Sequence, residues 1–303
     1  MTVVVAGGSG FIGTLLTQKL LALGDMVIVV DQKAPVFTHE HLYFIQSDIA
    51  TEQLPFNVLE HTDAVINLVG APLMRRWTST YKKTIRDSRL LSTRHIVESM
   101  QRATNRPPLL INASAVGYYG DGGDTVLNEQ APQGKGFLAE VAAEWEKEAL
   151  QAEAFGTRVV CVRTAIVLGR GEIVAALTRF APWKVFFALS KKPFWQPWIH
   201  HDDIVNVYLF ALQTSTLHGP LNAVAPESVT HQTFVRTIAQ ALRRPWVLPV
   251  PRIIKHLFFK EAIEAVVMSE RVVPQRLVDK GFVFTYPTLA VAAATLRKDN
   301  GKN

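Results

Sequence analysis

The chain has 303 residues, 48% apolar and 19% charged, a balance that describes a globular protein and excludes a disordered or collagen-like one. Its 32 Lys and Arg against 26 Asp and Glu leave a formal charge of +6, spread along the sequence. That distribution favours small anions over nucleic acid or a membrane as partners, and the single Cys161 excludes a disulfide framework and cysteine-rich metal sites.

Val3-Val4-Val5 reads as a short first strand and leads directly into Gly7-Gly8-Ser9-Gly10-Phe11-Ile12-Gly13. Glycines this early do not suit a signal peptide or an anchor, and no apolar stretch reaches the length of a membrane span, so a soluble cytoplasmic protein is expected. Phe11, Ile12, Leu15, Leu16, Leu20 and Leu23 then follow helical spacing, Gly24 supplies a stop, and Val27–Val30 forms a second strand. Further strands are predicted over Leu42–Ile45, Ala64–Leu68, Leu109–Asn112 and Val159–Val162. A helix capped by Thr78 should run to Arg102, and another from Phe137 to Ala154, ended by Gly156. Helical spacing returns over Val205–Leu212, Phe234–Leu242 and Ile253–Met268.

Strands alternating with helices predict an α/β fold, a Rossmann-type doubly wound parallel sheet with a smaller C-terminal substrate region. Residues 1–172 read as the dinucleotide-binding domain, with its sheet completed by 199–229. Residues 173–198 and 230–298 read as the smaller region, and 299–303 as a basic tail.

A glycine-rich turn between a first strand and a first helix is a phosphate cradle. Gly7, Gly10 and Gly13 let the backbone turn tightly and approach a diphosphate, which the helix N-terminus then faces beside Phe11 and Ile12. Asp31, ending the second strand, is placed to accept from ribose hydroxyls; its charge favours NAD, while Lys33 keeps NADP open. Asp48 and Ile49 follow the third strand, where they contact the adenine or simply make a turn.

These glycines, together with Asn67-Leu68-Val69-Gly70 and Ser114-Ala115-Val116-Gly117-Tyr118-Tyr119-Gly120, resemble the extended short-chain dehydrogenase/reductase superfamily. Arg76-Trp77-Thr78, Ser88-Arg89, Gln196-Pro197-Trp198-Ile199-His200-His201-Asp202-Asp203 and Ser269-Glu270-Arg271-Val272-Val273-Pro274 narrow the resemblance to its atypical epimerase-like members, along nearly the whole chain. The resemblance implies that Leu68, Val69 and Gly70 pass under a nicotinamide cofactor, with Ser114 and Tyr118 near its reactive ring. It also implies a Tyr and a Lys four residues apart for proton transfer, but those positions hold Phe137 and Val141. Neither side chain exchanges a proton, so Ser114 and Tyr118 become the candidate catalytic residues.

Arg89, Tyr118, Tyr119 and Trp198 are the candidate substrate residues, Arg89 for an anionic group and Trp198 as a cover; each aromatic reads equally as packing. Arg75-Arg76-Trp77 with Lys82, Arg86 and Arg89 reads as an anion-holding edge or as a solvated basic face. His200, His201, Asp202 and Asp203 are consecutive and read as a loop anchor and helix cap, with no metal expected. The expected protein is a monomer or homodimer that binds NAD or NADP and a small polar, nucleotide-sugar-like substrate. It acts either as an oxidoreductase or epimerase with an atypical site or as a non-catalytic sensor or scaffold.

Overall fold

The structure, a computed structural model, describes residues 1–169, 185–188, 192–243, 246–249 and 267–298. Seven strands form one parallel sheet: β1 (Thr2–Ala6), β2 (Met26–Asp31), β3 (Leu42–Gln46), β4 (Ala64–Asn67), β5 (Leu109–Ala115), β6 (Arg158–Thr164) and β7 (Gly219–Ala223). Their order is β7-β6-β5-β4-β1-β2-β3. The winding therefore reverses between β1 and β4, and a crevice opens there at the strands' carboxyl ends.

Successive strand residues point to opposite faces, and both faces are apolar. Val3, Val5, Val27, Val29, Ile66, Ile111 and Val160 pack under α1 (Phe11–Ala22) and, later in the chain, α4 (His201–Gln213). Val4, Val30, Val65, Leu110, Val159 and Cys161 face the other way, toward α2 (Ser79–Arg102) and α3 (Phe137–Leu150). A third core joins Leu168, Trp198 and Val229 to α5 (His231–Ala241) and to α7 (Leu289–Lys298), which follows the short α6 (Gln275–Asp279).

Local signals set most boundaries. The Thr78 side chain accepts from the Tyr81 N–H and starts α2 where expected. After α3, a 3-10 turn over Gln151–Phe155 ends at Gly156, whose φ of 87° is easiest for glycine. β4 stops one residue early, because the Asn67 side chain accepts from the Val69 N–H and turns the chain. β5 runs three residues further than expected, to Ala115, pairing with β6. At α4 the cap is the His200 ring, which accepts from the Asp202 N–H. Of the two carboxylates expected to cap it, Asp202 lies beside the His200 and His201 rings, and Asp203 turns inward and accepts from the Thr285 and Tyr286 N–H groups at 2.8 and 2.9 Å. Most of the expected helix Ile253–Met268, most of the aromatic-rich stretch from Gly171 to Lys192, and the tail 299–303 lie outside the described residues.

Candidate dinucleotide site

At the end of β1 the chain enters the crevice through Gly7, with φ 77° and its N–H bonded to the Val30 carbonyl at 2.9 Å. A Cβ on Gly7 would stand 3.0 Å from the Leu68 carbonyl carbon, and one on Gly13 would stand 2.4 Å from the Gly7 oxygen. These glycines let three backbone segments converge. Above Gly10, by contrast, an added Cβ meets nothing nearer than the Gly7 oxygen at 3.3 Å. Gly10 caps α1 without a side-chain acceptor, and the first turn holds no acidic residue. The first N–H groups of α1, from Phe11 through Gly13, are thus left to an external anion, and the cradle fits a diphosphate.

Asp31 is half-buried beside this loop, where its Oδ2 accepts from the Ser9 N–H at 3.0 Å. Asp48 makes a turn, accepting from the Ala50 N–H at 3.1 Å. Ile49 packs its side chain in the α2-side core at 2% exposure, and its carbonyl is bonded to the His95 ring at 2.8 Å, so the side chain offers nothing to a ligand. Leu68 and Val69 are half-buried and Gly70 is exposed, directly after β4. Beneath them the buried Asn67 donates to Thr93 at 2.9 Å and to Asn112 at 2.7 Å.

Arg89 is a clamp in this structure. Its guanidinium donates to the Ala71 carbonyl at 3.2 Å and the Ile85 carbonyl at 3.0 Å, and it lies 5.2 Å from the centroid of the Trp145 ring. A Cβ at Gly70 would stand 3.1 Å from it, so the glycine admits the guanidinium to the loop backbone. Burial lowers the Arg89 guanidinium to about 10.

The expected catalytic residues part company. Ser114 is 4% exposed, and its hydroxyl donates to Glu146 Oε1 at 2.6 Å, so it faces the helix layer and not an open site. Glu146 in turn is held by Arg163 at 2.7 and 2.8 Å, a buried ion pair that no reading of the sequence singled out. Burial alone would lower the Arg163 guanidinium; the hydrogen bonds and charge of Glu146 outweigh it and raise it. Tyr119 is also committed, donating to Asn222 at 2.7 Å and accepting from Arg163 at 2.9 Å. Burial pushes its phenol up to about 12 against the pull of Arg163.

Tyr118 differs. It is half-buried, its ring centroid lies 3.5 Å from the Arg163 guanidinium carbon, and its hydroxyl has no hydrogen-bond partner among the described residues. Phe137 packs edge-on against Trp77 at 5.5 Å, and Val141 is buried, so both dyad positions are filled by packing. Trp198, expected to cover a substrate, is 1% exposed inside the third core and donates to the Glu227 carbonyl. It presents no face to a ligand.

His200, His201 and Asp202 bring their ligand atoms within 4.8 Å of one another. Each imidazole nitrogen already has a protein neighbour: Asp202 N and Thr295 for His200, Leu168 O and Asp202 for His201. The cluster holds the loop together. A separate shallow recess, with room for about one water, is lined by Trp195, Gln196, Glu227, Val229 and Glu270. Protein atoms crowd the Glu270 carboxyl although part of the residue remains exposed; this burial, then the charge of Asp121, raises it to about 8.

Residues 3–223 match the NAD dependent epimerase/dehydratase family, and residues 250–296 match a domain of unknown function, DUF1731. Epimerase family protein YfhF of Bacillus subtilis is 32% identical over 99% of both chains. The chloroplastic SDR39U1 homolog of Arabidopsis thaliana is 35% identical over 94% of this chain and 84% of its own length. The crystal structure of human epimerase family protein SDR39U1 with NADPH superposes with a TM-score of 0.84 at 29% identity, covering 99% of this chain and all of that one. Among the described residues no helix is long and apolar enough to cross a membrane.

Proposed function

Because the chain belongs to the NAD dependent epimerase/dehydratase family, as an atypical extended short-chain dehydrogenase/reductase, we propose that it binds NAD or NADP and acts as an oxidoreductase or epimerase on a small polar, nucleotide-sugar-like substrate. The observation that carries this reading is the uncapped N-terminus of α1 behind the glycine loop. Main-chain N–H groups from Phe11 to Gly13 would hold the diphosphate, Asp31 the ribose hydroxyls, the Asp48-Ile49 turn the adenine, and Leu68 to Gly70 the far half. When bound, the dinucleotide supplies a hydride acceptor or donor. Tyr118 gives or takes the substrate proton at its free hydroxyl, while Ser114 acts only through Glu146 to hold Arg163 beneath the Tyr118 ring.

Asp31 sets the cofactor preference. Its carboxylate would repel a ribose phosphate and so favours NAD, whereas the human relative was solved with NADPH. Asp31→Ala is expected to weaken NAD roughly tenfold, about the worth of one charge-assisted hydrogen bond, and to leave NADP unchanged or tighter. Titration of both dinucleotides against both proteins checks this, and an equal loss for the two would remove Asp31 from the discrimination.

A non-catalytic sensor is the second reading, favoured by the packing of Phe137 on Trp77 and the burial of Val141. Turnover over a panel of nucleotide sugars and carbonyl compounds separates the two. The enzymatic reading expects Tyr118→Phe to abolish turnover with dinucleotide affinity held within a few fold. Tight dinucleotide binding with no turnover by the wild type establishes the sensor.

A further inference from the structure

Three arginines of α2 reach α3, and two of them meet acids there. Arg86 pairs with Glu144 at 2.7 Å and Arg94 with Glu148 at 2.6 Å. Arg89, between them in the sequence, meets the Trp145 face instead. Among the described residues no carboxylate stands at ion-pair distance from it, whereas the buried Arg163 has Glu146. The Arg89 residue is half-buried, but protein atoms crowd its guanidinium, and that crowding is what lowers it to about 10.

A desolvated cation without a counter-ion is unfavourable, because an aromatic face and two carbonyls return only part of its lost hydration. Holding the loop does not require the charge. A neutral amide side chain also donates to carbonyls such as those of Ala71 and Ile85, and the Ser88 hydroxyl already holds the Ala71 N–H at 3.0 Å. The hydrogen bonds therefore leave the charge itself unexplained. Its location suggests a use. The loop starts against the glycine cradle, where a Cβ on Gly7 would stand 3.0 Å from the Leu68 carbonyl carbon. Two residues on, the guanidinium fills the space that a side chain would take at Gly70. A permanent positive charge thus stands in the loop on which the far half of the dinucleotide is proposed to lie.

The two forms of a nicotinamide dinucleotide differ in charge at that end: the oxidised ring is a cation and the reduced ring is neutral. The diphosphate and both riboses are common to the two forms and cancel from the comparison. We infer that Arg89 selects the redox form of the cofactor, repelling the oxidised ring and so favouring the reduced dinucleotide. The inference rests on the proposed dinucleotide reading and adds to it which form the protein holds more tightly. At an effective dielectric of about 20, like charges about 10 Å apart change an affinity roughly tenfold.

The test titrates full-length protein with NAD, NADH, NADP, NADPH and ADP-ribose. Wild type is expected to bind the reduced member of at least one pair about tenfold or more tightly than the oxidised member. Arg89→Gln should reduce that ratio about tenfold, and Arg89→Lys, which keeps the charge, should retain most of it. ADP-ribose has no nicotinamide ring, so its affinity should stay within about threefold in every variant. Arg89→Met supplies a second neutral variant, its unbranched stem packing on Trp145, should Gln destabilise the fold. A clamp without an electrostatic role gives a different result: both redox forms lose affinity alike and the ratio does not move. That result in a neutral variant that unfolds cooperatively overturns the inference, as does a ratio lost as completely in Arg89→Lys as in Arg89→Gln. Wild type that takes up ADP-ribose and both redox forms equally overturns the inference alone and leaves the dinucleotide reading standing. Wild type that takes up none of the five removes both.

Discussion

Gly13→Ala is expected to weaken dinucleotide binding by one to two orders of magnitude, roughly 10- to 100-fold. The new methyl would stand 2.4 Å from the Gly7 oxygen and 2.7 Å from the Gly8 Cα, both backbone atoms of the cradle itself. Neither can rotate away, so α1 must move off the loop and its N–H groups lose their aim. Overpacking of this kind costs about 1–3 kcal/mol in stability. A comparable loss in binding means a Kd raised by roughly 10- to 100-fold, since about 1.4 kcal/mol is tenfold. Titration calorimetry and thermal unfolding read the two effects. Gly24→Ala is the control: with φ 85° and nothing within 4 Å of an added Cβ, it strains one turn and leaves affinity unchanged. If Gly13→Ala binds NAD and NADP like wild type, the diphosphate does not lie on this loop.

Breaking the Glu146–Arg163 pair should have the largest effect on stability. Glu146→Ala leaves the Arg163 guanidinium, 3% exposed, without its carboxylate and strips the Ser114 hydroxyl of its acceptor. Removing one partner of a buried pair typically costs about 3–5 kcal/mol, because the remaining charge stays desolvated. Arg163→Leu should cost a similar amount and also free the Tyr118 ring, which lies against the guanidinium. Replacing both by apolar residues of similar volume should recover most of the loss, since it removes the stranded charge. Urea unfolding of the two single variants and the double one measures all three. Single variants within about 1 kcal/mol of wild type would mean that water or another group already satisfies the pair, contrary to the geometry.

The sheet was readable because β-branched runs buried on both faces stand out from their surroundings, and because Thr78, Gly24 and Gly156 carry stop and start chemistry in single residues. The end of β5 was hidden by polar residues. Asn112 and Ser114 look like the edge of a strand, yet their side chains are satisfied by Asn67 and Glu146 from elsewhere in the chain. Likewise Glu146 reads locally as one more acid on α3, and only the presence of a charge in the apolar run of β6 hints at its partner. The cap of α4 went to His200 because Asp203 is needed by Thr285 and Tyr286, far along the sequence. Trp198 failed as a substrate cover for the same reason: its surroundings are assembled by α5 and α7, which no local spacing places around it.

The tight glycine loop was legible, since a glycine run after a strand is a backbone feature that spacing encodes. The reaction half of the groove was not. Whether Ser114, Tyr118 or Tyr119 keeps a free hydroxyl depends on Glu146, Arg163 and Asn222, drawn from three separate elements.

Titration of the purified wild-type protein with NAD and with NADP addresses the central claim most directly. The account predicts saturable uptake of one dinucleotide per chain, well below millimolar, for at least one of them. It also predicts competition by ADP-ribose, which keeps the diphosphate, and none by nicotinamide alone. Absence of binding by either dinucleotide at millimolar concentration, from protein that unfolds cooperatively, would contradict it.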